Sequence, residues 1–185
     1  MIPTRVTRGR ANPLHTKFPL RLRRARKAAG LSGAGLSVAA GLGRSGASVM
    51  ENAKRLPRVS TLEKLADVLR VSPGWLAYGL EGGWEAPRGA PRCEGIGARL
   101  QAARAERGIS LREVARRAGA GEGVAVAVAR GTMPAIDTLE QLAVALGVSP
   151  AWLAFGIGPM DLPRRTGGTE RGHRGPKRAV GGRQL

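Results

Sequence analysis

One short stretch of the chain, residues 44–58, concentrates side chains that can bond to or touch the bases of DNA. Its first half supplies arginine, serine, valine and asparagine side chains: Arg44, Ser45, Ser48, Val49 and Asn52. Arginine can bond bidentately to guanine and asparagine to adenine, and valine can touch the methyl group of thymine. Its second half supplies three further cations: Lys54, Arg55 and Arg58. These residue types can bond to bases and phosphates if one element of the fold exposes them together.

The residues that most often perform catalysis are few and poorly placed. His15 and His173 fall in expected terminal tails and Cys93 in an expected linker, so none has a partner for a nucleophile–base pair. A single cysteine also excludes an intramolecular disulfide framework and a cysteine-based zinc site. The acidic residues are scattered, with no pair at a metal-ligand spacing. We therefore expect a protein that is not an enzyme and has no metal and no cofactor.

The charge of the chain points to an anionic partner. Lysine and arginine total 31 against 13 acidic residues in a chain of 185, which gives a formal net charge of +18. Such an excess of one sign favours binding of an anion. No apolar run reaches the ~18 residues of a membrane helix, and the N-terminus lacks the apolar segment of a secretory signal. We expect a cytoplasmic, nucleoid-associated protein with no membrane partner.

An internal repeat organises the chain, because residues 21–79 align with residues 99–156 once Leu56 is skipped. The copies agree best near their ends, TLEKLADVLRVSPGWLAYG against TLEQLAVALGVSPAWLAFG, and worst around Arg44. This contrast indicates a retained scaffold with one diverged, exposed element. The predicted parts are a basic N-terminal arm (1–19), domain 1 (20–80), a Gly/Pro-rich linker (81–97), domain 2 (98–157) and a disordered basic tail (158–185).

Apolar spacing and capping residues predict an all-α fold with five short helices in each domain. With 42% hydrophobic and 3% aromatic residues, small helices packed by alanine and leucine fit better than a β-sandwich. The third helix of domain 1 is expected at about residues 44–52. The expected helix caps of domain 1 are serines and glycines: Ser32, Ser60, Ser72, Gly30 and Gly41. The expected aromatic core residues of the fifth helices are Trp75, Tyr78, Trp152 and Phe155.

Each domain carries a string of spaced residues typical of one family. In domain 1 the string is Arg26, Gly30-Leu31-Ser32, Leu36, Gly41, Ser45, Ser48, Met50-Glu51, Lys54-Arg55, Pro57, Leu62, Leu65-Ala66 and Leu69. In domain 2 it is Arg104, Gly108-Ile109-Ser110, Val114-Ala115, Gly119, Gly131, Pro134, Leu139, Leu142-Ala143 and Leu146. Both strings resemble the phage-repressor-like (Cro-like, XRE-like) helix-turn-helix family, in two tandem copies of which the second is degenerate.

The resemblance implies that the third helix of domain 1 enters the major groove of double-stranded DNA. The first half of the 44–58 stretch would then face the bases, and its three later cations would contact phosphates, which hold register without reading sequence. Relatives also pair a first-helix arginine with a third-helix glutamate. The resemblance therefore implies an ion pair between Arg26 and Glu51 that positions the two helices.

Domain 2 departs from the pattern in its recognition helix. Glu122 stands where domain 1 has Arg44, and Ala129 stands where it has Glu51. An acidic side chain there faces phosphates unfavourably, although glutamate can accept a hydrogen bond from cytosine. Domain 1 departs too, since Gly33 occupies the place of a glutamine with which relatives contact DNA. We expect domain 2 to keep the fold with weak or no DNA reading.

These features predict a sequence-specific, double-stranded DNA-binding transcriptional regulator, and more narrowly a repressor. Two domains in one chain could span two half-sites, because the linker reaches further than the ~34 Å of one helical turn. One alternative is a protein-interaction or antitoxin-like module, in which domain 2 forms a homodimer or holds a protein partner. Another alternative is a nonspecific nucleic-acid binder that acts through its basic tails.

Overall fold

The computed structural model describes residues 13–80 and 93–161, which form ten α-helices and two 3-10 helices. Domain 1 contains α1 (Phe18–Ala28), α2 (Gly33–Ala39), α3 (Gly46–Glu51), α4 (Val59–Leu69) and α5 (Pro73–Tyr78). Domain 2 contains α6 (Ile96–Glu106), α7 (Leu111–Ala118), α8 (Glu122–Ala129), α9 (Ile136–Leu146) and α10 (Pro150–Phe155). Within the described residues the predicted all-α class, with five α-helices in each domain, is confirmed.

Serine side chains cap four of these helices. In domain 1, Ser32 Oγ accepts a hydrogen bond at 2.9 Å from a backbone N–H in the first turn of α2, and Ser72 Oγ accepts one at 3.4 Å in α5. Ser110 and Ser149 cap α7 and α10 of domain 2 in the same way. Each bond satisfies one of the N–H groups that the start of a helix leaves unpaired.

Helix α4 begins differently from the prediction, and Ser60 is not its N-cap. The helix starts at Val59, and Arg58 takes the cap position with an extended backbone and no side-chain hydrogen bond. The physical reason lies in the other domain, because Arg58 forms an isolated antiparallel bridge with Ala135. Helix α9 likewise begins at Ile136, directly after the bridging residue. The contact between the domains, and not a local cap, therefore sets both helix starts.

Both domains begin earlier in the chain than predicted. A 3-10 helix at Leu14–Lys17 and the fully buried Phe18 lie inside the predicted arm 1–19. A second 3-10 helix at Cys93–Gly95, whose Cys93 is buried, lies inside the predicted linker 81–97. Their apolar side chains pack in the core, so these residues belong to the folded domains. Residues 1–12 of the predicted arm, 81–92 of the predicted linker and 162–185 of the predicted tail lie outside the described residues.

The core runs continuously through both domains, because the buried apolar side chains form one cluster. Helix α5 packs on α10 so closely that a Cβ added at Gly74 would lie 3.1 Å from the Cβ of Ala151. The predicted core aromatics take part in this packing, two of them fully buried and two half-buried against the cluster. Tyr78 and Phe155 are fully buried, and Trp75 and Trp152 are half-buried.

Backbone hydrogen bonds between the domains follow a two-fold pattern. The Val59 N–H donates to the Pro134 carbonyl at 2.9 Å. The Ile136 N–H, at the equivalent position of domain 2, donates to the Pro57 carbonyl at 3.2 Å. A two-fold axis between like units produces such an exchange, in which residue i contacts j and the counterpart of j contacts the counterpart of i. The two repeats therefore face each other as the halves of a symmetric dimer do.

Two glutamates hold the N-terminal turns across the same interface. The carboxylate of Glu140, on α9, is buried and accepts hydrogen bonds from the N–H of Leu14 at 2.7 Å and of His15 at 3.0 Å. It also contacts His15 Nδ1 at 2.7 Å. The equivalent Glu63, on α4, accepts from the Cys93 N–H at 3.2 Å. Each domain thus holds the first turn of the other, and His15 belongs to the interface rather than to a tail.

An arginine at the same place in each repeat ties the first helix of its domain to the fifth. Arg21 Nε donates to the Leu76 carbonyl at 2.9 Å, and Arg99 Nε donates to the Leu153 carbonyl at 2.9 Å. Carbonyls in the last turn of a helix have no partner within it. Burial lowers the pKa of Arg21 to about 10, which leaves its guanidinium charged near neutral pH. These arginines cap the helices that form the interface.

Candidate nucleic-acid interface

Helices α2 and α3 of domain 1 form a helix-turn-helix unit whose turn begins at Gly41. This glycine has a φ of +66°, a conformation that residues with a Cβ adopt only with strain. The Leu42 N–H then bonds the Ser37 carbonyl at 2.8 Å, and the Gly46 N–H bonds the Gly43 carbonyl at 2.7 Å. These hydrogen bonds close α2 and start α3, so the turn has a defined geometry.

Helix α3 is shorter than the predicted 44–52, since it covers only Gly46–Glu51. Arg44 and Ser45 precede it, and Ser45 takes the N-cap position without a side-chain hydrogen bond. Asn52 is the C-cap residue at the opposite end. The structure therefore places Arg44 and Ser45 at one end of the helix and Asn52 at the other, with Ser48 and Val49 between them.

A buried serine, which the sequence analysis did not single out, joins α2 to the start of α3. Ser37 Oγ donates to the Gly33 carbonyl at 2.8 Å and accepts from the Ala47 N–H at 2.9 Å. Ala47 is the second residue of α3, so its N–H has no acceptor within the helix. Domain 2 has Ala115 in place of Ser37. A polar residue at an otherwise apolar position of one repeat was the signal that could have revealed this contact.

Arg26 and Glu51 form a bidentate ion pair between α1 and α3. Arg26 Nε donates to Glu51 Oε1 at 2.5 Å, and Nη2 donates to Oε2 at 3.0 Å. A third bond runs from Arg26 Nη1 to the Leu31 carbonyl at 2.8 Å. The hydrogen bond from Arg26 lowers the pKa of Glu51 below its ordinary value and raises the pKa of Arg26. The pair fixes α3 against the scaffold of domain 1.

A second arginine, Arg23, extends this contact to the end of α3. Its Nε lies 3.4 Å from Glu51 Oε2, and its Nη2 donates to Asn52 Oδ1 at 3.3 Å. Asn52 is therefore held at the C-terminal end of α3 through its carbonyl oxygen, while its amide N–H groups remain as donors. No family position and no identity between the repeats marks Arg23, so the sequence did not predict this contact.

Most of the residues predicted to contact DNA are exposed, and only Val49 is half-buried. The exposed members are Arg44, Ser45, Ser48, Asn52, Lys54, Arg55 and Arg58. None of the four cations among them forms an ion pair with another described residue. Arg58 lies apart from the others, at the bridge between the domains. Domain 1 therefore surrounds α3 with positive charge that no carboxylate neutralises.

The glycine at the start of α2 allows that helix to approach α3 closely. A Cβ added at Gly33 would lie 2.7 Å from Ser48 Oγ, which is closer than such atoms come in proteins. Relatives place a glutamine at this position to contact DNA. In this chain Ser48 occupies the space, so the surface formed by the two helices consists of backbone and small side chains there.

The corresponding surface of domain 2 partly neutralises its own positive charge. Glu122 pairs with Arg112 at 2.9 Å, and Glu113 pairs with Arg116 at 2.7 Å and with Arg117 at 2.6 Å. Hydrogen bonds from Arg116 and Arg117 lower the pKa of Glu113 to about 2, so it is ionised at neutral pH. Helix α7 therefore carries three arginines whose charge is partly cancelled by neighbouring carboxylates.

The recognition segment of domain 2 is helical, although its valine–alanine alternation is typical of a strand. Helix α8 spans Glu122–Ala129, as the repeat predicts. Because Ala129 stands in place of Glu51, Arg104 has no acidic partner on α8, and its Nε donates to Gln101 Oε1 at 2.6 Å instead. Domain 2 thus keeps the helix-turn-helix frame without the ion pair that joins α1 to α3 in domain 1.

The two helix-turn-helix units coincide with two matches to one family model. The model described as helix-turn-helix matches residues 22–76 and residues 100–153, which together make up more than half of the chain. The chain belongs to the XRE/Cro-like helix-turn-helix family. Membership makes the protein a DNA-binding transcription regulator and confirms the two tandem copies. No curated protein and no solved structure matches the chain significantly.

Three observations on this helix-turn-helix regulator concern metal binding, thiol reactivity and membrane insertion. Residues 13–80 and 93–161 contain no group of three or more His, Cys, Asp or Glu side chains that could hold a metal ion. Burial raises the pKa of the Cys93 thiol to about 12, whereas a reactive cysteine needs a lowered pKa. No helix in the same residues has the length and apolar character to cross a bilayer.

Proposed function

We propose that this regulator is a sequence-specific repressor that binds double-stranded DNA with α3 of domain 1 in the major groove. The observation that carries the proposal is the set of exposed cations without an ion pair in the described residues: Arg44, Lys54 and Arg55 around α3, and Arg58 at the junction of the domains. Such cations displace counterions from DNA and bind its phosphates. Action on chromosomal DNA would place the protein at the nucleoid, in the cytoplasm.

Arg44 is the residue we propose for base recognition. It is exposed, it stands at the N-terminal end of α3, and its guanidinium is unpaired within the described residues. A free guanidinium at that end of a recognition helix can bond bidentately to O6 and N7 of guanine. Ser45 and Ser48 are small enough to let the helix approach, and Val49 offers part of its side chain to a thymine methyl group.

The residues after α3 would position the protein on the duplex. Lys54 and Arg55 follow the helix in an exposed loop, where they would contact phosphates of one strand. Arg58 lies at the junction of the domains and would contact a phosphate between the two halves. Asn52, whose oxygen accepts from Arg23, keeps its amide donors for a base or a phosphate.

The proposal is tested by enriching duplexes from a random library with the full chain and measuring two variants on the enriched sequence. Arg44→Ala should weaken binding by about 1–3 kcal/mol and relax the preference at one base pair, because a bidentate base contact is lost. The control Lys54→Ala should weaken binding to all sequences alike and lower the slope of affinity against salt by about 1.

Two outcomes would contradict this assignment. If Arg44→Ala reduced affinity equally on enriched and random duplexes, Arg44 would contact phosphate and not a base. If the library gave no enriched sequence and binding followed salt alone, the protein would be a nonspecific binder, as expected of its basic tails.

A second candidate function is recognition of a protein partner through domain 2. The self-neutralised surface of α7 and α8 favours it, because exposed Arg–Glu pairs can exchange partners with charged groups of another protein. A stable DNA-free complex with such a partner, weakened by Glu122→Arg and unaffected by Arg44→Ala, would support this function. A complex that is weakened by Arg44→Ala and unaffected by Glu122→Arg would exclude this second function.

A further inference from the structure

The interface between the domains has the symmetry of a dimer within a single chain, and we propose that it places α3 and α8 on one duplex together. One protein chain would then span two successive turns of DNA, with the separation of the two helices set by the packed interface and not by residues 81–92. The inference rests on the proposed function of α3. It adds that the second half of the site is contacted by domain 2 of the same chain.

Two contacts between equivalent residues locate the axis of this symmetry. Arg58 bridges Ala135, its own counterpart in the repeat, and Gly74 lies against Ala151, its own counterpart. A residue can touch its symmetry mate only where both lie next to the two-fold axis. The axis therefore passes between α5 and α10, and between the first residues of α4 and α9.

Contacts away from the axis are exchanged, as the symmetry requires. The backbone bonds between Val59 and Pro134 and between Ile136 and Pro57 are one such exchange. The glutamates of α4 and α9, each of which accepts from the first 3-10 turn of the other domain, are a second. Because hydrogen bonds, a bridge and a shared core all obey one operation, the operation that relates the domains also relates α3 to α8.

The two DNA-facing halves are chemically unlike in spite of this symmetry. Domain 1 presents Arg44 at the start of its recognition helix, whereas domain 2 presents Glu122, which is already paired with Arg112. The arginines that domain 2 offers are Arg116 and Arg117, which are exposed on α7 and share the single carboxylate of Glu113, so together they keep a net positive charge. They suit phosphates better than bases, because in this fold the second helix crosses the DNA backbone. The DNA site should therefore be read for sequence on one side and held by its backbone on the other.

The first test uses the full chain and the duplex it enriches from a random library, with the stoichiometry measured by sedimentation. We expect one chain per duplex. Removing the turn of DNA beyond the enriched half-site should lower affinity about tenfold or more, because backbone contacts are lost. Replacing the bases of that turn at constant length should change affinity less than about threefold. Two chains per duplex, or no effect of shortening, would overturn the inference.

The second test probes the interface without DNA. In Gly74→Cys/Ala151→Cys the two Cβ atoms would start 3.1 Å apart, near the ~3.5–4.5 Å of a disulfide, so slight opening should permit a bond. Peptide mapping should find a disulfide within one chain, distinct from any that involves Cys93, at the mass of a monomer. The control Gly74→Cys keeps Cys93 but has no cysteine at residue 151, so any intrachain disulfide that it forms must involve Cys93 and sets the background for the mapping.

The two tests separate failure of this inference from failure of the proposed function. A disulfide between two chains would overturn the single-chain interface even if DNA binding were specific. An intrachain disulfide in a protein that enriches no sequence would instead contradict the proposed function. If the double-cysteine variant does not fold, the stoichiometry of the unmodified chain on its duplex decides the question.

Discussion

The Arg26–Glu51 and Arg112–Glu122 pairs show how strongly burial decides what an ion pair contributes. Both join an arginine to a glutamate within hydrogen-bonding distance. The first has side chains 16% and 6% exposed, and the second has side chains 77% and 72% exposed. Water screens the exposed pair and competes for its charges, whereas the shielded pair retains its interaction. Position in the fold, and not residue type, separates a structural contact from a solvated one.

This contrast gives a matched prediction for stability. Glu51→Gln should lower the free energy of unfolding by about 1–3 kcal/mol, because a charge-assisted bidentate bond becomes a neutral one beside a shielded guanidinium. The control Glu122→Gln should lower it by less than about 1 kcal/mol. Urea denaturation of both variants measures the difference, and equal losses would mean that shielding of the Arg26 pair contributes nothing.

The lowered pKa of Glu51 predicts how this contribution changes with pH. A carboxyl group whose pKa is lower in the folded state stabilises the protein above its unfolded pKa, here ordinarily 4.5. The contribution is lost as pH falls through the folded value. The difference in unfolding free energy between wild type and Glu51→Gln should therefore be constant near neutral pH and shrink as the solution is acidified below 4.5. A difference that grows on acidification would contradict the pairing.

Single residues also show what the sequence could and could not predict. Arg26 and Glu51 could be paired in advance, because both occupy recognised positions of a known motif. Arg21 and Arg99 could have been found as identical residues of the two repeats. Arg23 could not, since its contacts with α3 depend on where the end of that helix falls. The free state of Arg44 could not be predicted either, because it depends on every carboxylate that the fold brings near.

At the scale of helices, local sequence was a good guide wherever a helix is stabilised by its own residues. Ser32 and Ser72 cap the helices they were expected to cap. Ser60 does not, because the bridge to domain 2 extends the chain at Arg58 and starts α4 two residues earlier than a cap at Ser60 would. A cap is a local feature, and a bridge between distant parts of the chain is not. The error therefore falls at a helix start where a contact with a distant segment replaces the local cap.

The different starts of α3 and α8 explain why Ser37 is needed in only one repeat. Ala47 is the second residue of α3 and requires an acceptor outside the helix, which Ser37 supplies. Helix α8 begins two positions earlier relative to the repeat, so Ala125 is its fourth residue. A backbone N–H that far into a helix has an acceptor in the preceding turn. Ala125 therefore needs no side-chain acceptor, and Ala115 can stand where domain 1 has Ser37.

Removing this contact should destabilise domain 1. Ser37→Ala leaves the buried Ala47 N–H without an acceptor, which should cost about 1–3 kcal/mol of unfolding free energy. Ser60→Ala serves as the control and should change it by less than about 0.5 kcal/mol, because Ser60 caps no helix. Thermal or urea denaturation compares the two. A larger loss of unfolding free energy in Ser60→Ala would mean that Ser60 caps α4, which would contradict the structure.

At the scale of the whole molecule, the two domains share one core and one set of exchanged hydrogen bonds. The sequence predicted two domains, their order, their helices and a linker long enough to let them span two half-sites, but it did not predict that the domains pack on each other. The interface could not be foreseen, because it depends on which faces of α5 and α10 remain apolar after each domain has folded. Glu63 and Glu140 carry no motif, and their roles follow only from the packed arrangement.

A shared core predicts that both domains unfold together. Trp75 belongs to α5 and Trp152 to α10. The fluorescence of Trp152→Phe therefore reports more strongly on domain 1, and that of Trp75→Phe reports more strongly on domain 2. The two curves should have the same midpoint as the loss of helical circular dichroism, after correction for the stability of each variant. Separated midpoints, with one domain still folded, would show that the interface is too weak to couple them.

The helices α3 and α8 differ in sequence although they lie on opposite sides of an otherwise two-fold interface. This difference reflects how mutations act on a tandem repeat. In an assembly of two identical chains every substitution is made twice, so a recognition helix cannot change on one side alone. When both halves are encoded in tandem, each substitution is made once. One half can then acquire Arg44 while the other acquires Glu122, and the scaffold between them need not change. If both domains bind one duplex as proposed, the preferred DNA site need not be a palindrome.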